Sequence, residues 1–272
     1  MTTTYRQRFE LTATPFPKSA YDKSFFSEVA GYKRLEQSFQ MLVEEPGLGL
    51  LTAEPGVGKT AAIRNLALAL PRPRYRVVYV CDTAIGPLDV YRALALELDL
   101  EPAFRRAALW RQLKERILHM VDERDEHPLL IVDEGQNLPD RFLVDFSGFL
   151  NFAFDSRDLF TTWLVGQPQL RARLRKHHYA ALKTRIVTSV HLEPLGSREL
   201  FSAFLEHGLE AVGIKSSIIA DSARELIYRA SGGLPREVGK LVRKAMRRAD
   251  ERGQNFIDDA VMEVVLAEEG EI

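Results

Sequence analysis

Cysteine is almost missing from this chain, which has Cys81 as its single example among 272 residues. A single cysteine cannot form a disulfide within the chain, so a disulfide-stapled fold is excluded and a reducing compartment is indicated. Because Cys81 ends the apolar run YRVVYVC, we expect it to be a small buried residue.

Long apolar segments are missing as well. No stretch approaches the ~20 apolar residues that a membrane-spanning helix needs. The amino terminus, MTTTYRQRFELTATPF, lacks the apolar centre of a signal peptide. We therefore expect a soluble, cytoplasmic protein without membrane contacts.

Neither sign of charge predominates, since the chain has 37 lysines and arginines and 38 aspartates and glutamates, which give a net charge of -1. The chain as a whole is not a polycation, so binding to nucleic acid would depend on local basic patches. Hydrophobic residues make up 46% of the sequence, which suits one large domain or two small ones.

Apolar runs alternate with helical patterns between residues 31 and 193, and the runs read LGLLTA, YRVVYVC, PLLIVD, FTTWLVG and IVTSVHL. Such strands, separated by helices, are typical of a parallel sheet covered on both faces. After Pro194 only helical patterns follow, over residues 197–212, 218–230, 234–252 and 257–267. We predict an arm (1–30) that packs on the main domain, an α/β domain (31–193) and an all-α domain (194–272).

The strongest motif is GLLTAEPGVGKTAAIRNLALAL, in which an apolar run, a glycine-rich loop and a helical pattern follow one another. Main-chain N–H groups of such a loop bind phosphate oxygens, and the helix dipole adds to the attraction. Lys59 is expected to reach the β- and γ-phosphates, and the Thr60 hydroxyl to bind Mg²⁺. The motif departs from G-x-x-x-x-G-K-[ST] at its first position, where Ala53 stands. The candidate nucleotide-binding residues are Glu54, Pro55, Gly56, Val57, Gly58, Lys59, Thr60 and Ala61.

A second motif, PLLIVDEGQNL, places Asp133 and Glu134 directly after a buried strand. The carboxyl edge of the strands is where ligands bind in open α/β sheets. We expect Asp133 to hold Mg²⁺ with Thr60, directly or through water. Glu134 is expected to be the general base that activates the attacking water.

Three further polar residues complete the candidate site. Gln167 follows the apolar run TTWLVG, where a neutral amide can orient the attacking water or contact the γ-phosphate; alternatively it caps the next helix. Arg185 directly precedes the last strand, from where it would supply transition-state charge to a neighbouring subunit's nucleotide. Arg236 begins a helix after the turn GGLP and would fold back onto the γ-phosphate. For both arginines the alternative is a solvated or salt-bridged surface residue.

Five segments of the chain resemble, in order, the Walker A, Walker B, sensor 1, arginine-finger and sensor 2 elements of AAA+ ATPases. These segments are TAEPGVGKT, LLIVDEGQNL, LVGQPQL, LKTRI and SGGLPREVGKL. The resemblance covers nearly the entire chain. Within that superfamily it is similar to the ExeA-related ATPases, in particular to transposon-encoded relatives of TnsC, TniB and MuB. It implies an α/β fold with a three-layer α/β/α parallel sheet in the order 5-1-4-3-2 and a carboxy-terminal all-α lid. It also implies ATP and Mg²⁺ as cofactors, and assembly with ATP into rings or helical filaments.

Three hypotheses for the biological role remain open. The first is a regulator of DNA transposition that assembles on duplex DNA and recruits or activates a transposase. The second is a secretion-assembly ATPase of the ExeA type, and the third is an AAA+ switch that remodels another protein. ExeA-type proteins carry a transmembrane segment and a periplasmic part. This chain ends soon after the lid pattern, which counts against the second role, and the resemblance leads us to expect the first.

Basic residues concentrate in LRARLRKHHYAALKTR and along one face of the helix 234–252. Each group is also compatible with a solvated helix face or a subunit contact. The resemblance implies further DNA contacts in DTAIGPLDVYRALA, and contacts with phosphates carry little sequence information. The candidate DNA-contacting residues are Thr83, Arg92, Arg171, Arg173, Arg175, Lys240 and Lys244.

Overall fold

A computed structural model describes residues 4–19, 25–81 and 86–270. The strands are β1 (Leu48–Ala53), β2 (Tyr75–Val80), β3 (His127–Val132), β4 (Thr161–Gly166) and β5 (Ile186–Leu192). The helices are α1 (Tyr5–Arg8), α2 (Tyr32–Glu44), α3 (Lys59–Leu68), α4 (Asp89–Glu97), α5 (Arg106–Arg124), α6 (Asp140–Phe149), α7 (Pro168–Leu174), α8 (Ala180–Lys183), α9 (Arg198–Glu210), α10 (Asp221–Ser231), α11 (Pro235–Glu251) and α12 (Asp259–Gly270).

The five strands form one parallel sheet in the order β2-β3-β4-β1-β5. This is the predicted order 5-1-4-3-2 read from the other edge, so the predicted fold class is confirmed. The apolar runs explain the positions of the strands. Every residue of β1 and of β4 is buried, as a central strand covered on both faces requires, whereas the edge strand β2 is only partly buried.

Cys81 is exposed, so the prediction of a buried cysteine is wrong. The apolar run that precedes it forms β2, which lies at the edge of the described sheet, next to β3. Cys81 directly follows the last residue of this edge strand, where its side chain is exposed to solvent.

The chain divides into two compact units. The sheet unit comprises Gly31–Glu54 and Ala62–Leu192, and the helical unit comprises Met1–Ala30, Pro55–Ala61 and Glu193–Ile272. In the sheet unit, the indole of Trp163 on β4 stacks on Phe39 of α2 with ring centroids 6.1 Å apart. A Cβ at Gly49 on β1 would lie 2.7 Å from Trp163 Cε3, so the glycine makes room for the large ring.

The helical unit contains α9–α12, as the helical patterns after Pro194 predict. Its core also takes up Phe9 and Phe26 from the amino-terminal arm, and Phe16 packs against it. A Cβ at Gly208 or at Gly239 would overlap Phe16, so these glycines open the space that its ring fills. The aromatic side chains of the arm therefore complete the core of the helical unit.

Among the described residues, no helix combines the length and the apolar composition that crossing a membrane would require.

Candidate nucleotide site

The phosphate loop (residues 54–61) connects the end of β1 to the first turn of α3. Gly56 and Gly58 have φ angles of +89° and +109°, which residues other than glycine rarely adopt. A Cβ at Gly58 would meet nothing within 4 Å, so this side of the loop is open to a ligand. Lys59 begins α3 with only 7% of its surface exposed, and Thr60 is half-buried. The loop thus offers main-chain N–H groups, a lysine and a hydroxyl at a helix N-terminus.

Arg236 of α11 lies directly against the phosphate loop. Its main-chain N–H donates to the carbonyl oxygen of Gly56 at 3.1 Å. Its Cβ would be 3.4 Å from a Cβ built on Gly56. Pro235 starts α11 at the preceding position, and the Arg236 side chain is exposed. The sequence-predicted sensor arginine is therefore next to the loop that it is expected to serve.

Asp133 follows β3 and is only 2% exposed. Both of its carboxylate oxygens accept hydrogen bonds: Tyr79 Oη donates to Oδ2 at 3.0 Å, and the main-chain N–H of Glu134 donates to Oδ1 at 2.8 Å. Burial, and then the neighbouring Asp133 carboxylate, raise the pKa of Tyr79, so its hydroxyl stays protonated and donates. These bonds fix the direction of the Asp133 carboxylate at the carboxyl edge of the sheet.

Glu134 has a left-handed backbone conformation, with φ at +52°. A residue other than glycine in this region costs on the order of 1–3 kcal/mol and is often found where a side chain serves a function. The Glu134 Oε2 atom accepts a hydrogen bond of 2.6 Å from Gln136 Nε2. Gln136 lies in the short 3-10 helix Gly135–Asn137 that follows.

Gln167 follows β4 and precedes α7, and its main-chain N–H donates to Gln136 Oε1 at 3.0 Å. Its side chain makes no capping hydrogen bond to α7, although Gln167 is the N-cap residue. The alternative of a helix-capping amide is therefore not what the structure contains. The ends of β3 and β4 meet through Gln136, a residue that the sequence analysis did not identify.

Arg185 lies at the start of β5, at the opposite end of the sheet from Asp133 and Gln167. Its Nη2 atom forms an ion pair with Asp155 Oδ1 at 2.6 Å. Both side chains line a cavity of about 600 Å³, together with Gly47, Leu48, Ser147, Gly148, Leu150, Asn151, Asp158, Phe160, Ala181, Thr184 and Val187. In the sheet unit, Arg185 is thus a salt-bridged residue at a cavity.

Four of the candidate DNA contacts pair with carboxylates of the same chain, and three of them, Lys240, Lys244 and Arg92, lie on α11 and α4. Lys240 and Lys244 of α11 both pair with Glu269 of α12. Arg92 pairs with Asp89 at 2.6 Å on α4. Their charges are partly neutralised inside the protein, which lessens their attraction for phosphates.

The remaining candidates divide into three cases. Arg173 donates to Gln136, Tyr179 and Asp140, so its guanidinium belongs to an internal network. Arg171 and Arg175 are exposed, and within the described part of the chain neither has an ion-pair partner. Thr83 lies outside the described residues.

Among the described residues, no group of three or more His, Cys, Asp or Glu side chains is placed to hold a metal ion. A Mg²⁺ ion that binds through one carboxylate, one hydroxyl and substrate phosphates needs no such group.

Comparison with known proteins finds one family that resembles the sheet unit. Residues 42–174 match the family described as an AAA domain. General secretion pathway protein A from Aeromonas hydrophila is 28% identical over 256 residues, which cover 93% of this chain and 46% of that protein. The chain thus spans about half the length of this relative.

Solved structures show the same fold. The ORC2 protein of Aeropyrum pernix, in ADPNP and ADP complexes, superimposes with a TM-score of 0.69 at 16% identity. The alignment covers 93% of this chain and 70% of the ORC2 chain. The ORC1 protein of the same organism, in complex with DNA, has a TM-score of 0.65 at 16% identity, with 96% and 69% covered. The chain therefore has the fold of these AAA+ ATPase structures, and its residues 42–174 are similar to an AAA domain.

Proposed function

We propose that this protein, whose residues 42–174 match an AAA domain, is a Mg²⁺-dependent ATPase that hydrolyses ATP to ADP and phosphate. The observation that carries the proposal is the hydrogen-bonded set at the carboxyl edge of the sheet. There Asp133 is buried, and a single amide joins the Glu134 carboxylate to the main chain of Gln167. A phosphate loop with two left-handed glycines, between β1 and α3, supports the same conclusion.

Each polar group of the site has a distinct task in this proposal. The N–H groups of the phosphate loop bind phosphate oxygens, and Lys59 supplies positive charge to the β- and γ-phosphates. Thr60 and Asp133 offer the hydroxyl and carboxylate oxygens that Mg²⁺ prefers. When bound, Mg²⁺ neutralises charge on the phosphates. Glu134 accepts the proton of the attacking water.

Three residues act on the γ-phosphate. Gln167 contacts it or orients the attacking water from the end of β4. Arg236, next to Gly56, contacts it from α11. Arg185 supplies charge in trans to the nucleotide of a neighbouring subunit, from the far end of the sheet.

We further propose that the ATP-bound protein binds duplex DNA without sequence preference. The likeness in fold to an ORC1 protein in complex with DNA supports this, as do the exposed side chains of Arg171 and Arg175, which form no ion pair with any described residue. Assembly into a ring or filament on DNA, and recruitment or activation of a transposase, rest on the resemblance of the motifs alone.

A role in the assembly of a secretion apparatus is a second candidate. The similarity to general secretion pathway protein A, over nearly the whole of this chain, favours it as strongly as the motifs favour transposition. The two candidates differ in their partner, which is duplex DNA in the first and a protein of the cell envelope in the second.

ATP binding and ATP turnover, measured separately, test the enzymatic proposal. Lys59→Ala should abolish binding of a fluorescent ATP analogue. Glu134→Gln should bind it normally but hydrolyse ATP about 10²- to 10⁴-fold more slowly. Lys215→Ala and Glu210→Gln, at exposed positions of the helical unit, are matched controls and should behave like the wild type. Normal turnover by Glu134→Gln would remove Glu134 from its role, and a wild type that binds no nucleotide would refute the ATPase itself.

Filter binding to duplex DNA at several salt concentrations separates the two candidate roles. Each phosphate that the protein neutralises contributes about -0.9 to the slope of log affinity against log salt. Binding that requires ATP and weakens steeply with salt supports the DNA role. A protein that does not bind DNA, or binds it regardless of nucleotide and salt, leaves the secretion or remodelling role.

A further inference from the structure

Gln136 uses both ends of its side-chain amide. The Nε2 atom donates to Glu134 Oε2 at 2.6 Å, and Oε1 accepts the main-chain N–H of Gln167 at 3.0 Å. A carboxylate can only accept and a main-chain N–H can only donate, so a single orientation of the amide satisfies both. The amide is therefore fixed by its partners, and it connects the proposed base to the first residue after β4.

Two glycines bring these segments within reach of each other. A Cβ at Gly166 would lie 2.8 Å from Gln136 Oε1. A Cβ at Gly135 would lie 2.9 Å from Leu170 Cδ2 and 3.1 Å from the carbonyl oxygen of Val165. Side chains at these positions would push the amide away from Gln167, so the local sequence permits the bridge.

A second set of bonds holds Gln136 from the other side. Arg173 Nη1 donates to the carbonyl oxygen of Gln136 at 3.1 Å, and Arg173 Nε donates to Tyr179 Oη at 3.2 Å. Arg173 also pairs with Asp140, which accepts from Tyr179 as well. These hydrogen bonds, from Tyr179 and then from Arg173, lower the pKa of Asp140 and keep it ionised. Gln136 is thus held at its side chain and at its main chain.

We propose that Gln136 is a positioning residue, which sets the direction of the Glu134 carboxylate relative to Gln167. The inference rests on the proposed function, in which Glu134 is the general base and Gln167 acts at the γ-phosphate. A hydrogen bond to Oε2 fixes the plane of the carboxylate, and its other end ties that plane to β4. A base that is misplaced by about 1 Å loses on the order of 100-fold in rate.

Gln136→Met and Gln136→Glu test the bridge in two ways. Gln136→Met keeps the length of the side chain and removes both bonds. Gln136→Glu keeps an acceptor for the Gln167 N–H and places a second negative charge beside Glu134. Both variants should bind the ATP analogue within about 2-fold of the wild type, with a kcat lower by about 10- to 100-fold. Gln136→Glu should be at least as slow as Gln136→Met, and it keeps the test decisive if Gln136→Met does not fold.

Gln112→Met is the matched control. Gln112 also uses both ends of its amide, since Nε2 donates to the carbonyl oxygen of Glu101 at 2.7 Å and Oε1 accepts from Ala103 at 3.1 Å. The control removes a bridge of the same kind from α5. It should leave kcat unchanged.

The double variant Glu134→Gln, Gln136→Met separates positioning from bracing. If Gln136 acts through Glu134, then Gln136→Met should slow the Glu134→Gln protein by no more than about 2-fold. An equal slowing in both backgrounds would show that Gln136 only braces the two strands, and a normal kcat for Gln136→Met would also overturn the inference. Wild-type and Lys59→Ala proteins in the same assay report on the proposed function by itself. A wild type without turnover refutes both proposals, and turnover that depends on Glu134 but not on Gln136 refutes this inference alone.

Discussion

Replacing Arg185 by alanine should lower ATP turnover under assembly conditions by about 10³- to 10⁵-fold, because an arginine that acts in trans stabilises the transition state by that factor. This corresponds to about 4–7 kcal/mol of activation free energy. The analogue should still bind, since the phosphate loop of the variant is intact.

The ion pair with Asp155 decides whether Arg185 is available for this role. The two side chains are 23% and 50% exposed, and a pair of this kind contributes about 0–1 kcal/mol. Transition-state stabilisation of several kcal/mol outweighs it, so the pair does not hold Arg185 back. Asp155→Asn should therefore change turnover by less than about 5-fold.

Mixing two inactive proteins tests whether Arg185 acts between subunits. Arg185→Ala subunits keep Lys59, and Lys59→Ala subunits keep Arg185. In an equimolar random assembly, about one quarter of the head-to-tail interfaces join an intact Lys59 to an intact Arg185. Turnover should return to about that fraction of the wild-type rate.

Arg157→Ala is the matched control, because Arg157 forms an ion pair of the same length, 2.6 Å, with Asp122. It should retain nearly all of its activity. Normal turnover by Arg185→Ala would refute the role of Arg185, and a mixture without recovery would assign Arg185 to the structure of its own subunit.

Three other expectations follow from the structure. In filter binding, Arg171→Ala should weaken DNA binding and reduce the salt slope by about 1. Lys240→Ala removes a charge that is already paired with Glu269 and should change neither quantity. Equal effects of the two variants would contradict the distinction between exposed and paired basic residues. Gly49→Ala should lower the free energy of unfolding by about 1–3 kcal/mol, because its methyl group would displace the ring of Trp163, and an unchanged denaturation midpoint would show that the ring yields freely. Arg236→Ala should slow hydrolysis more than it weakens binding of the ATP analogue; loss of binding alone would show that Arg236 contacts the nucleotide only in the ground state.

The sheet could be predicted because its central strands are almost continuously apolar. Such runs in β1 and β4 are typical of strands covered on both faces. The same reasoning failed at Cys81, because an apolar run does not reveal whether its strand lies at the edge of the sheet. That position depends on the strand order, which followed from the family resemblance and not from the runs themselves.

The site could be predicted only where its residues belong to a contiguous motif. Asp133 and Glu134 follow a strand directly, so their common edge can be inferred from the sequence. The role of Gln136 depends on a contact with Gln167, which is distant in the chain and carries no local pattern. The glycine at position 166 was the available signal, since a close approach of two segments is a reason for glycine at the end of a strand.

The position of Phe16 between Gly208 and Gly239 has a consequence for synthesis of the chain. The arm leaves the ribosome before the helices that bury Phe9, Phe16 and Phe26 are translated. The sheet unit is complete in the nascent chain before these aromatic side chains have any core to enter. Until then they are exposed apolar surface of the kind that chaperones bind and that leads to aggregation. Translation arrested before α11 should therefore yield a nascent chain in which proteases cut the arm more readily than the sheet.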